Sequence, residues 1–176
     1  MKIIKKILVV GIFIVLLLVA AFFAMGLIFP NIEAKSEVEI DKPVEVVWAY
    51  FTDESKAGEW IDSLRKIETI KGARTEVGSK FRMTFDEDGR EIVMTQTITE
   101  LKPQEVFAFR LENEVMGDDV RVTFRGNGEK TIVTQEDKMV GGNIFWRSLF
   151  AVLQSSMKTN VEKILIDLKK NVEKLP

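Results

Sequence analysis

Gln96, Gln135 and Asp137 each occupy a position where the surrounding alternation calls for an apolar side chain. In "EIVMTQTITEL" Gln96 shares a face with Ile92, Met94 and Ile98, and in "TIVTQEDKM" Gln135 and Asp137 follow Val133 at intervals of two. A buried amide without a partner costs roughly 1–3 kcal/mol, so each glutamine needs one. The candidates are a ligand's polar group, the other glutamine or a buried water. Asp137 could serve as a general base if burial raised its pKa. Its place near a strand end better suits a solvated carboxylate. Tyr50, the single tyrosine, falls on a helical stretch and reads as core packing. "DEDG" at 86–89 resembles the start of a calcium loop but lacks the later ligands and the glutamate at position twelve, so a hairpin turn accounts for it better.

The residues that are missing narrow the chemistry further. The chain has neither Cys nor His. Disulfides, thiolate or imidazole metal sites and Cys or His catalysis are therefore excluded. No G-x-S-x-G, P-loop or dinucleotide fingerprint occurs. No metal and no cofactor is expected.

The elements that carry these residues follow from periodicity. "SEVEI" at 36–40 alternates and predicts a strand. Pro43 suits the first turn of a helix in which Val44, Val47, Trp48 and Phe51 recur at helical spacing. Asp53 can cap a second short helix, "ESKAGEW". From Leu64 the period is mostly two. "KFRMTF", "EIVMTQTITEL", "VFAFRL", "DVRVTF" and "TIVTQEDKM" predict strands, with turns at "DEDGR", "KPQE" and "GNGEK". Five or six strands joined by short turns make an antiparallel meander. Strands segregated from helices give an α+β fold. The meander needs a cover on one face, and only the C-terminal helix of about 30 residues is long enough to supply it.

The N-terminus has a different character. Lys2, Lys5 and Lys6 precede 23 uncharged, apolar residues from Ile7 to Phe29. As a helix this run reaches about 34 Å, enough to cross a hydrocarbon core of ~30 Å. The lysines predict a cytoplasmic N-terminus with everything after Pro30 outside. The alternative is a secreted protein whose signal peptide is cleaved near "VAA" at 19–21, but the run continues well past that site. The expected organisation is thus a transmembrane anchor over 1–30, a linker over 31–35 and one domain over 36–176. All 27 acidic residues lie beyond the anchor and no basic stripe appears, so nucleic acid is not an expected partner.

The order strand, two short helices, strand run, long helix resembles the START-like superfamily, also called SRPBCC, with its helix-grip fold. The resemblance covers 36–175. It sits in "PVEVVWAYFTDESKAGEW", "VGSKF" at 77–81, "ITELKPQEVFAF" at 98–109 and "GEKTIVTQED" at 128–137. It implies a curved antiparallel sheet wrapped around the C-terminal helix, with an apolar cavity between them; the anchor is an addition to the common pattern. The superfamily has no shared catalytic residue, so strand phase assigns the cavity candidates. They are Phe81, Met83, Met94, Gln96, Phe107, Phe109, Val122, Val133 and Gln135, facing Phe150, Leu153 and Met157. A filled core would show the same pattern. The expected partner is a hydrophobic small molecule or lipid, with the membrane engaged through residues 7–29. The expected function is a membrane-anchored binder or carrier. The alternatives are a polyketide cyclase- or hydrolase-like enzyme using Asp137, Gln96 and water, or a protein-interaction module. The absence of any recognisable nucleophile favours the binder.

The last helix has an uneven apolar face. Phe150, Leu153, Met157, Val161, Ile164, Leu168 and Val172 fall within about 50° of one line and should seat on the sheet. Phe145, Leu149 and Val152 widen the first half to one side, and Ser156 and Asn160 continue that shoulder as polar residues. The first half therefore requires a second partner. The candidates are the two short helices, packing through Val47 and Trp60, a ligand at the cavity mouth, or the membrane surface.

Overall fold

A computed structural model describes residues 2–176. Helix α1 (Lys2–Ile28) leads into β1 (Asn31–Ile40). Helices α2 (Val44–Thr52) and α3 (Ala57–Trp60) follow, joined by a 3-10 turn at Glu54–Lys56. Strands β2 (Leu64–Lys71), β3 (Lys80–Glu87), β4 (Arg90–Lys102), β5 (Val106–Glu112), β6 (Met116–Asn127) and β7 (Lys130–Gly141) precede α4 (Ile144–Val172). The seven strands form one antiparallel sheet in the order β1-β7-β6-β5-β4-β3-β2. β2 to β7 are the predicted meander, and β1 closes its far edge by pairing with β7.

The turns follow their residue types. Asp88 and Gly89 both have positive φ, 53° and 79°, which is the two-residue hairpin geometry that matches strand twist. The Asp86 carboxylate accepts the Gly89 N–H at 2.8 Å, so that carboxylate serves the hairpin. Asp53 caps the 3-10 turn by accepting the Ser55 N–H at 2.9 Å. Pro43 stands one position earlier than predicted, at the N-cap of α2. Asn143 caps α4, accepting the Trp146 N–H at 3.1 Å.

Residues 31–35, expected as a linker, are instead the first half of β1. Ile32 and Ala34 alternate inward there and are buried, which gives this stretch a face to bury and hence a register against Val140 to Glu136.

The core lies between the sheet and the C-terminal half of α4. Phe51, Phe81, Phe107, Phe124, Val133, Leu165, Leu168 and Val172 are all buried within it. Each such large side chain contributes on the order of 1.5–3 kcal/mol when withdrawn from water. Trp48, Phe51, Phe107 and Phe124 meet edge to face at centroid separations of 5.1 to 6.3 Å. Val161, Phe150, Met139, Ile32 and Ala34 form a second cluster under the N-terminal half of α4.

The wide first half of α4 does have a second partner, and it is α1. Phe22 packs against Phe145, ring centroids 5.9 Å apart. Gly26 is pressed so closely onto Ser148 that a Cβ there would lie 2.7 Å from the Ser148 backbone nitrogen. Glycine is what permits this approach. The first helix thus continues directly onto the domain.

Candidate functional site

The inner face of the sheet carries most of the predicted set. Phe81, Met83, Met94, Gln96, Phe107, Val122, Val133 and Gln135 are buried there, and Phe109 is half-buried. From α4, Phe150 is buried and Met157 half-buried. Leu153 departs from its inward assignment: it is 44% exposed. The seat of α4 is set by Val161, Leu165, Leu168 and Val172. Their mean direction lies about 40° from the predicted line at 100° per residue, which swings Leu153 to the flank.

Part of the apolar lining on α4 and on the sheet is accessible. Leu153, Met157 and Ile164 of α4 and Ile67, Phe109 and Leu111 of the sheet are partly or fully accessible, in contrast to the closed core beside them. A recess of about 170 Å³ lies on this side, between Trp60–Ser63, Glu87 and the α4 residues Asn160, Lys163, Ile164 and Asp167. An ion pair between Lys163 and Asp62 bridges it. A larger depression of about 430 Å³ runs over β1, β7 and β6, but it is lined mostly by the charged Glu33, Lys35, Asp119, Arg121, Glu136 and Lys138, alongside Ala34 of β1 and Asp137 of β7. Those charges largely satisfy one another or their neighbours, as Lys35 does with Glu136 at 2.7 Å. It is an ordinary solvated surface.

Two polar groups interrupt the apolar interior. The first surrounds Gln96, which is 2% exposed. Its Oε1 accepts from Arg74 Nη1 at 2.8 Å. Arg74 reaches in from the loop between β2 and β3 and lies over two rings, 5.6 Å from the Phe81 centroid and 5.3 Å from Phe107. Its Nε is buried without a partner. Desolvation pulls its pKa down, opposed in part by Glu54. A guanidinium nonetheless stays charged at any physiological pH.

The second group is Gln135, Asp137 and Asp118. Gln135 Nε2 donates to both oxygens of Asp137, at 3.0 and 3.1 Å. Asp137 is 5% exposed, so the expected solvated carboxylate is in fact buried. Asp118 on β6 is buried beside it, and its Oδ1 has no partner. Burial pushes both carboxyl groups up. Asp118 rises further, because the Asp137 charge adds to the desolvation. Two neighbouring carboxyl groups held above their ordinary range are suited to donate or accept a proton. The two glutamines therefore do not pair with each other; each has its own charged partner.

Sequence reasoning missed Asp118 and Arg74. Asp118 lies two residues before Val120, so extending the inward alternation of β6 by one step would have found it. Arg74 had no such signal, since no periodicity governs where a loop side chain points. Tyr50 is buried as expected, and its hydroxyl donates to Glu59 at 2.6 Å. Among the described residues, no three His, Cys, Asp or Glu side chains converge as metal ligands.

A curved antiparallel sheet gripping one long C-terminal helix defines the helix-grip α+β class, to which the START-like proteins belong. The comparisons agree. Residues 31–173 match the family described as polyketide cyclase / dehydrase and lipid transport, and the chain belongs to that family. Among solved structures, a START superfamily protein from Mycobacterium smegmatis superposes with a TM-score of 0.68 at 12% identity, over 82% of this chain and 99% of that one. A conserved protein from Geobacillus kaustophilus gives 0.67 at 15% identity, over 81% and 95%. The Zhui aromatase/cyclase from Streptomyces sp. R1128 gives 0.65 at 16% identity, over 81% and 94%. At these identities the likeness is one of fold. No curated protein matches the sequence.

Proposed function

We propose that this protein binds and carries a hydrophobic or amphipathic small molecule between its sheet and α4, while α1 holds the domain at a membrane. The observation that carries the reading is the apolar surface left partly or fully accessible at Leu153, Met157 and Ile164 of α4 and at Phe109 and Leu111 of the sheet. A folded chain normally closes such a surface; where one stays open in a concave setting it is the usual lining of a ligand site. The lipid-transport part of the family description accords with this.

The membrane part rests on α1, a 27-residue helix long and apolar enough to cross a bilayer. Its packing on α4 through Gly26 supports a retained anchor over a cleaved leader, since the domain uses the helix as a partner. The Lys2, Lys5 and Lys6 cluster favours a cytoplasmic N-terminus. Intact mass of the membrane-extracted protein tests retention: a mature chain starting near Phe22 would sink it.

Ligand binding is tested on the full chain in lipid nanodiscs. Native mass spectrometry should show a copurifying species, and a fluorescent fatty-acid probe should be bound and displaced. Neither retained species nor displacement at high micromolar probe would leave an interaction module in front.

The Asp118–Asp137 pair supports a second reading, an enzyme of the cyclase or hydrolase kind with Asp137 as acid–base. Its sign would be a copurified species that changes mass on incubation with the wild type and not with Asp137→Asn.

A further inference from the structure

Arg74 is charged, largely withdrawn from water, and without a counter-ion. No carboxylate among the described residues comes within ion-pair distance of it. One neutral amide oxygen, that of Gln96, takes one of its donors. The acidic pair stands away from it. Gln96 pairs with Leu111 and Leu111 with Asp118, which places the dyad two strands over, roughly 10 Å away at ordinary strand spacing. Burying a lone cation is costly, and a fold tolerates it where an anion completes the site.

The loop is built to keep the side chain there. Ser79 Oγ accepts the Ala73 N–H at 3.0 Å, and the Ser79 carbonyl accepts from Ile98 at 3.0 Å. The Gly78 N–H donates to the Ile98 carbonyl at 2.8 Å, so the loop is stitched to β4 on both sides of that residue. The rings of Phe81 and Phe107 then hold the guanidinium plane.

The unused donors have a definite shape. Gln96 occupies Nη1, Nε has no acceptor, and Nη2 makes no hydrogen bond among the described residues. Nε and Nη2 form the side edge of the guanidinium, two parallel N–H groups that match the two oxygens of a carboxylate. We infer that Arg74, held by Gln96, is the head-group site for an amphipathic carboxylic acid, whose chain lies over the partly accessible Phe109 and Leu111 toward α4. This rests on the ligand-binding reading and adds the chemical class and orientation of the ligand. The Asp118–Asp137 pair enforces that orientation, because a carboxylate turned the other way would meet acids.

The test uses the full chain in nanodiscs of neutral phosphatidylcholine at pH 8, with empty discs as the partition control. Decanoate, 1-decanol and decyl phosphate each displace the probe 11-(dansylamino)undecanoic acid. Decanoate should act at roughly tenfold lower concentration than decanol, and the ratio should fall to about one in Arg74→Gln. Decanol matching decanoate on the wild type would overturn the inference while leaving the ligand-binding reading standing. So would an Arg74→Gln variant that weakens both alike, since Arg74 would then be packing. Decyl phosphate outranking decanoate would overturn the carboxylate assignment. No displacement by any of the three, with no probe bound, would overturn both readings. If Arg74→Gln fails to fold by its melting curve, Arg74→Lys replaces it. Lysine keeps the charge without the planar fork, so the ratio should drop yet stay above one; an unchanged ratio would overturn the bidentate contact.

Discussion

Asp118 on β6 and Asp137 on β7 lie side by side on neighbouring strands inside the domain, both buried. Burial raises both above their unfolded values, so the folded chain holds a proton that the unfolded chain has released at neutral pH. The stability contributed by the pair is fully present below the ordinary carboxyl range, near pH 4, and is lost as pH rises through the raised folded values. The melting temperature of the wild type should therefore fall by several degrees between pH 5 and pH 8.5, relative to Asp118→Asn. The asparagine removes the second charge and can still donate to Asp137. Parallel melting curves for the two proteins across that range would show that the pair does not carry the proton.

Gly26 of α1 and Ser148 of α4 join the first helix to the domain by close contact. The chain has no cysteine, so an engineered pair reports this contact without background. Phe22→Cys with Phe145→Cys should form a disulfide in membranes under mild oxidation. Adding Gly26→Leu should abolish it, since the side chain has no room against the α4 backbone. Cross-linking that persists at the same rate in the triple variant would mean that the close approach is not what holds the helices together.

Much of this was legible in the sequence, and the failures have separate causes. The alternation of Phe81 and Met83, and of Met94 and Gln96, placed β3 and β4 with their inner faces correct, because each of those strands alternates buried and more exposed positions there; β5 is buried at Val106, Phe107 and Ala108 alike. Asn31–Lys35 was missed as strand because its alternation rests on Ile32 and Ala34 alone, and alanine is a weak marker of burial. Leu153 was misplaced because a line drawn through a helix stripe has a tolerance of tens of degrees, and the actual seat is chosen by distant strands. The partner of Phe145 was not anticipated, since α1 and α4 lie at opposite ends of the chain. The loop around Arg74 follows no period, so its place beside Gln96 was invisible until the fold brought the two together.

Asp62 and Lys163 span the recess beside Trp60 and Asn160. Both are more than half exposed, and pairs of that kind contribute about 0–1 kcal/mol at most. Asp62→Ala should leave the melting temperature unchanged. If this recess is the way in, the variant should release the bound fluorescent probe several-fold faster in a stopped-flow dilution. An unchanged release rate would place the entrance elsewhere.

Met157 separates an open groove from a filled core. It is half-buried against the Phe150–Val161 cluster and stands on the flank that carries Leu153 and Ile164. Methionine fills irregular space without defining it. In a close-packed core Met157→Trp would force strain, typically costing 1–3 kcal/mol, and a domain of this size would melt roughly 3–10 °C lower. On an open flank the indole extends over the apolar lining, so stability should hold or rise while the probe loses its place. The expected outcome is the second: an unchanged or higher melting temperature together with weakened probe binding, both measured on the same nanodisc preparation. A marked drop in melting temperature with binding unchanged would mean that Met157 faces ordinary core and that the ligand lies nearer Arg74 than α4.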